Sequence, residues 1–298
     1  MTRAFLALPA SVRGILLMLA TTLIFTSQHG MIRHISDEVH AIEIGFLRSV
    51  FALLVVLPLL RQGLSIFRTQ KLRWHVLRGT LQSLNMMATF YAITIIPLSQ
   101  NTALSFTAPL CTTAIAILLM GERAEWQRLA ALAVGLIGAW IVIRPGIAEV
   151  NPGSLLALFA ALCWGSGMAV IKYLARTESS VTATAYMSVV MTVVTFVPAL
   201  FVWTWPSAEA WFWLVAIGVC AGLGNICLTE AFRHADLTVV LPFDFTRIVW
   251  ISVIGYVAFA EVPTLWALVG GAVIFSAATY VAMRERRQAS AKPTTVSQ

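Results

Sequence analysis

Asp244 and Arg247 stand three residues apart near the middle of an apolar run, a setting that does not solvate charge. A charged side chain at the centre of a membrane span costs about 2.5–3.5 kcal/mol on insertion scales, so each needs compensation. A spacing of three puts both on one helix face, where they can pair. Such a pair can bind a zwitterion by exchanging partners, and the aspartate can carry a proton. The plain alternative is a mutual salt bridge that only fixes the helix. Arg48 poses the same question. It lies about seven residues into its run, or about 10 Å along a helix axis, which is deep for a head group seeking water. It can hold an anionic group of a ligand, or it can pair with Glu43 five residues earlier.

Amides and aromatics extend the set of candidate binding residues. Gln82 and Asn85 share a face by their spacing of three, and Tyr91 follows in the same run. Asn225 sits in a later run. Amides both donate and accept, which suits neutral or heterocyclic ligands, and they serve equally as glue between helices. Trp164 and Phe25 can stack on a flat ligand, with ordinary packing as the competing use. His29 titrates near neutrality and can relay protons. Glu230 is a further proton-coupling candidate, although a surface ion pair with Arg233 accounts for it. Pro109 and Pro242 free the carbonyls of Ser105 and Thr238, which predicts kinked helices.

Catalysis would require a nucleophile with its base, or a metal cluster. The chain has no H-E-x-x-H, no G-x-S-x-G in a suitable context and no phosphate-binding loop. No catalytic residue, metal or cofactor is therefore assigned. Cys111, Cys163, Cys220 and Cys227 all lie inside apolar runs and read as small packing residues.

The elements that position these groups follow from composition. Of the 298 residues, 59% are hydrophobic and 11% charged, against about 25% charged in soluble proteins. Apolar runs near 14–32, 42–60, 74–95, 98–119, 127–143, 153–173, 182–203, 211–232, 237–258 and 263–283 each suit a membrane crossing of about 20 helical residues. Helices are the expected form, because hydrocarbon offers the backbone no outside partner and barrel strands would be shorter and alternating. The connections leave no room for a soluble domain, and the first run reads as a retained helix, not a signal peptide. The fold class expected is an all-α integral membrane protein of ten transmembrane helices.

The net charge of +7 has a topological source, so nucleic acid is not an expected partner. Arg3, Arg13, Arg61, Arg68, Lys71, Arg73, Arg123, Arg128, Lys172, Arg176, Arg233, Arg284, Arg286, Arg287 and Lys292 fall on one side of the predicted spans. Arg33 and Arg144 fall on the other. By the positive-inside rule both termini are expected in the cytoplasm of a multi-pass cell-membrane protein, with a bacterial inner membrane the expected site. Trp203, Trp205, Trp211 and Trp213 flank an opposite-side loop, as an interfacial belt does. The polar tail from about 284 onward is expected to be disordered.

Sliding the chain by 139 residues superposes its two halves without gaps. Gly14 meets Gly153, Ser27 meets Ser166, Ser49 meets Ser188, Gly79 meets Gly218, Phe106 meets Phe245 and Glu122 meets Glu261. Trp164 falls on Phe25, and Asn225 falls one residue from the counterpart of Asn85. Five spans per copy is an odd number, so the second copy must be inverted. Inverted repeats with a site near the midplane are the architecture of secondary transporters. An intramembrane enzyme, or a receptor or scaffold without transport activity, are the competing readings. Solute flux through purified protein in liposomes separates them.

Residues 91–145, from Tyr91-Ala92 through Pro97 and Gly121-Glu122-Arg123 to Pro145, resemble the EamA-type drug/metabolite transporters, and 230–278 repeat the pattern. The second copy departs from it with Asp236 for the proline and Ala260-Glu261 for Gly-Glu. "FLRS" at 46–49 and "LRG" at 77–79 resemble the branch that includes S-adenosylmethionine and riboflavin carriers. The resemblance implies an N-terminal segment 1–13, one EamA repeat over 14–145, a second over 153–283 and a tail over 284–298. It also implies a basket in which helices one, three, four, six, eight and nine line a cavity, with five and ten outside. Its ligand would be a small amino-acid-like, nucleoside-like or vitamin-like solute, moved by alternating access. Besides substrate and lipid bilayer, the sequence is compatible with a homodimer.

Overall fold

The computed structural model describes residues 8–56, 69–119, 126–144, 151–174, 178, 180–235 and 243–291. Helices account for the architecture, and no strand occurs among the described residues. In chain order they are α1 (Ala10–Ile35), α2 (Ala41–Val56), α3 (Leu72–Ile95), α4a (Leu98–Ser105), α4b (Ala108–Leu119), α5 (Trp126–Ile143), α6 (Pro152–Leu174), α7 (Ser180–Phe201), α8 (Ala208–His234), α9 (Thr246–Phe259) and α10 (Leu265–Ala291). Among the described residues this is an all-helical membrane protein of ten transmembrane segments. The spans Ala10–Ile35, Pro152–Val170, Ala208–Leu228 and Leu265–Arg284 are each long and apolar enough to cross a bilayer alone. The shorter apolar helices include Leu129–Ile143, Ala185–Phe201 and Thr246–Phe259. The side at which α1 begins is the near face, and the side at which it ends is the far face.

Local chemistry sets the helix ends. Ile96 is extended because it precedes Pro97, so α3 stops there and Pro97 starts α4a. Ser207 caps α8 by accepting the Ala210 amide at 3.2 Å. α10 runs on to Ala291, beyond the point at which the tail was expected to lose order. The segment Arg284–Gln288 consists of good helix formers, so the helix continues past its apolar stretch.

The fourth and ninth segments are interrupted at matching positions. Pro109 cannot donate to the carbonyl of Ser105, and the chain turns at Phe106–Thr107 between α4a and α4b. In the second half it turns at Phe245, before α9; Pro242 lies outside the described residues. Thr107 Oγ donates to the Leu104 carbonyl at 2.7 Å, and its counterpart Thr246 Oγ donates to the Phe243 carbonyl at 2.6 Å. Phe106 and Phe245 meet at these breaks with ring centroids 5.6 Å apart, and Phe275 of α10 completes the cluster.

The repeat seen in sequence is a pseudo-two-fold in space. A methyl on Gly79 of α3 would lie 2.5 Å from Val190 Cβ of α7, and one on Gly218 of α8 would lie 2.2 Å from Phe51 Cβ of α2. Both members of each contact are shifted by the repeat offset. Gly14 against Ala235 and Gly153 against Ile96 form a second symmetric set. The two halves are inverted relative to each other and interlocked, each giving its third helix to the second helix of the other. Gly79→Ala or Gly218→Ala is expected to lower stability by about 1–3 kcal/mol through overpacking. A thermal melt of the detergent-solubilised protein checks this.

α5 and α10 pack together where Gly138 and Gly270 approach each other's backbone carbonyls. Small residues of α5 line its contacts: Ala131 and Ala139 are buried, and Gly135 sits against Leu110 of α4b. Gly271 of α10 faces Ala103 of α4a. α9 ends at Ala260, which is left-handed at φ 53°, with the Glu261 amide bonded back to the Gly255 carbonyl at 2.9 Å. The first repeat has Gly121 at this position. Ala260→Gly should therefore raise stability by up to about 1 kcal/mol by relieving the left-handed strain, read as a higher melting temperature.

Candidate functional site

Asp244 and Arg247 form the expected pair beside the break before α9, with Arg247 Nη2 2.8 Å from Asp244 Oδ1. The broken segment explains their placement. Thr246 is bonded to the preceding turn, and its hydroxyl also lies 3.2 Å from that of Thr22 on α1. That contact docks α9 on α1, as does Gly30 against Ile254 further along. Twelve residues separate Arg247 from the end of α9, so it lies about 18 Å from the far face, near mid-bilayer.

Arg48 points into the same region and does not pair with Glu43. Glu43 Oε2 accepts instead from the Thr204 amide at 3.0 Å and the Thr204 hydroxyl at 3.1 Å. Arg48 Nη1 reaches the Met86 sulfur of α3 at 3.3 Å, and its guanidinium lies 5.9 Å from the Phe90 ring centroid. Among the described residues no carboxylate lies within ion-pair distance of it. His29 of α1 sits within electrostatic reach of both Arg48 and Arg247. α1, α2 and α9 thus each supply a nitrogen-bearing side chain to this region. His29 Nδ1, Arg48 Nε and Arg247 Nε are all buried without a hydrogen-bond partner. Trp250 Nε1, on the Arg247 face of α9, is a fourth such donor.

The remaining candidates spread out. Gln82 and Asn85 are half-buried on α3, on the helix that also supplies Met86 and Phe90. Asn85 Oδ1 accepts from Thr89 Oγ at a long 3.5 Å. Asn225 donates to the Ala221 carbonyl of its own helix at 2.9 Å, among its interactions. Tyr91 is exposed near the far end of α3, its ring 6.2 Å from that of His40, away from the Arg48 region. Trp164 is also exposed, and Phe25, its repeat counterpart, packs over Gly224 of α8. Glu230 lies 3.7 Å from His234 one turn on; the Arg233 side chain lies outside the described residues.

The sequence reading missed a polar clasp at the far face. Arg33 of α1 lies 3.3 Å from Glu261 Oε1 and donates to the Ile93 carbonyl at the end of α3. Glu261 Oε2 accepts the Leu98 amide at the start of α4a at 2.9 Å. The turn at Ala260 aims this carboxylate, and the helix dipole of α4a favours its charge. Beside the clasp, Glu38 accepts from the Ser207 amide at 2.7 Å, which holds its carboxyl below the usual range. At the near face a second missed group joins the two halves. Glu178 accepts from Thr69 at 2.7 Å and lies 3.7 Å from His75, which stacks on Tyr186 of α7. The matched Glu122/Glu261 positions were the available signal for the clasp, but no spacing along the chain pointed Glu261 to its partner. Gly121, Glu122 and Arg123 lie outside the described residues.

Comparison with known proteins agrees with this arrangement. A family model described as the EamA-like transporter family matches residues 12–144 and 151–283. The S-adenosylmethionine uptake transporter of Rickettsia felis is 28% identical over 88% of this chain and 90% of its own length. The riboflavin transporter of Brucella anthropi is 32% identical over 81% of this chain and 87% of its own. A crystal structure of a 19% identical protein superposes with a TM-score of 0.63, covering 92% of this chain and 98% of that one, which shows a shared fold. With two tandem domain matches, an interlocked pair of five-helix halves and relatives named as transporters and not enzymes, this chain belongs to the EamA-like transporter family.

Proposed function

We propose that the protein is a secondary carrier that moves a small organic metabolite across the cytoplasmic membrane by alternating access. The two halves would rock about the site at the broken fourth and ninth segments. The observation that carries this reading is the charged pair Asp244–Arg247 beside a helix break whose counterpart lies in the other half. Discontinuous helices in corresponding positions are where transporters of this architecture bind substrate. Phe106 and Phe245 sit at the two breaks and serve as the pivot. Arg48, Gln82, Asn85, Asn225, Asp244 and Arg247 are the substrate-binding residues of this proposal, with Trp164 at mid-depth on α6 and Tyr91 nearer the far opening. His29 and Asp244 are the coupling-proton candidates of this proposal, and Glu230 is the weaker candidate because it pairs locally.

S-adenosylmethionine and riboflavin, the solutes named for the relatives, are the first to try. Purified protein in liposomes loaded with unlabelled solute should accumulate the labelled form by exchange. Absence of exchange for every metabolite that the pure protein binds contradicts the carrier reading. A receptor or scaffold would bind solute without moving it.

A further inference from the structure

We infer that the transported molecule is an anion at this site: it carries a carboxylate that docks on Arg48 and is shared with His29 and Arg247. The inference rests on the carrier reading and narrows it to a substrate class. Three observations point the same way. First, the local charge does not balance. Arg48 and Arg247 are permanent cations, and Asp244, the one acid found with them among the described residues, is held by Arg247 at 2.8 Å. Glu43, the acid nearest in sequence to Arg48, is turned away and held by Thr204. A cation left uncompensated at this depth is expensive, and an anionic ligand removes the imbalance.

Second, each of these three side chains carries unused hydrogen-bonding capacity. Arg48 Nε, Arg247 Nε and His29 Nδ1 are buried and bond to nothing, although buried polar atoms are normally satisfied. They belong to three different helices, α1, α2 and α9, so a ligand among them can be held from more than one side. Third, Arg48 has a planar fork and a prepared wall. Met86 and Phe90 fix the guanidinium against α3, which leaves its other N–H edge for a two-pronged acceptor. A carboxylate has that shape. A neutral amide does not repay the charge, and a cationic group is repelled.

The test uses full-length protein in detergent. Thermal stability is measured with metabolites in matched pairs that differ only at the carboxyl group, such as S-adenosylmethionine and its decarboxylated form, and amino acids and their amides. Inorganic phosphate is a separate arm. The expected result is stabilisation by at least one carboxylate but not by its partner compound. Arg48→Gln should weaken that binding about 10- to 100-fold, the worth of a hydrogen bond to a charged group. Arg48→Lys, which keeps the charge but loses the fork, should fall between.

Stabilisation only by compounds that lack a carboxylate, by phosphate only or by nothing in the panel overturns the inference. So does carboxylate binding of wild-type strength in Arg48→Gln. If Arg48→Gln does not fold, the Arg48→Lys measurement decides, and unchanged affinity there sinks the fork. Flux separates this from the carrier reading. A carboxylate that binds through Arg48 but never exchanges across liposomes defeats the carrier and leaves the anion site. Exchange indifferent to both substitutions does the reverse.

Discussion

Asp244→Asn and Arg247→Ala are each expected to reduce solute exchange at least about 10-fold while the protein still inserts into membranes. The pair is held at 2.8 Å in a setting where neither charge is solvated, and removing one partner leaves the other uncompensated, at a cost of about 3–5 kcal/mol. Part of that cost appears as lost stability, so single substitutions alone do not separate support from function. The double variant Asp244→Asn/Arg247→Gln does. Neutralising both members removes the unpaired charge and should return the melting temperature close to the wild-type value. A salt bridge that only fixes α9 predicts that exchange returns as well. A site in which the two charges change partners with the substrate predicts a stable but inactive protein. Proteoliposome exchange and a melt on the same preparations read both quantities, and wild-type rates in both single variants would remove the pair from the mechanism.

Glu261→Gln is expected to open the far face. Its carboxylate ties α1 to the start of α4a, while Arg33 reaches the end of α3, so one charge joins the far ends of both halves. Glutamine can still accept the Leu98 amide but loses the ion pair with Arg33. The side chains of that pair are 26% and 17% exposed, so the loss is discounted for screening to about 1 kcal/mol. In the proposed cycle the clasp belongs to the state closed at this face, so its removal should shift the equilibrium between states by about 5-fold. A cysteine introduced at Thr89, with the four natural cysteines replaced, should react faster with a water-soluble thiol reagent from the far side. Exchange should slow, since the pathway must close on that side once per cycle. Unchanged labelling would make the clasp a surface decoration.

Sequence and structure agree most closely where lipid dictates the answer. Apolar runs became helices because hydrocarbon leaves the backbone no other partner, and the break in the fourth segment was legible from the donor that Pro109 lacks. The repeat was legible because paired glycines sit at symmetric helix crossings, as Gly79 and Gly218 do. Partner choice at long range was not legible. Arg48 could bond along its own helix to Glu43 or face inward, and the outcome was decided by Thr204, a residue from the α7–α8 connection that captures Glu43. Arg33 and Glu261 are brought together only by the inversion of the halves. Tyr91 follows Asn85 in sequence, yet the helix carries it toward the far face, where it meets His40. Spacing along one helix fixes a face, but depth and the neighbouring helix decide which groups share a site.

The opposed orientation of the two halves is the claim on which the pathway rests, and sided tagging tests it most directly. Epitopes are placed at the N-terminus and in the 146–151 connection, and their accessibility is read from each side of intact cells. The account predicts that the first is reached only after the membrane is permeabilised and the second without it. Both epitopes on one side would contradict the inversion, and with it the shared site that joins Arg48, His29 and the Asp244–Arg247 pair.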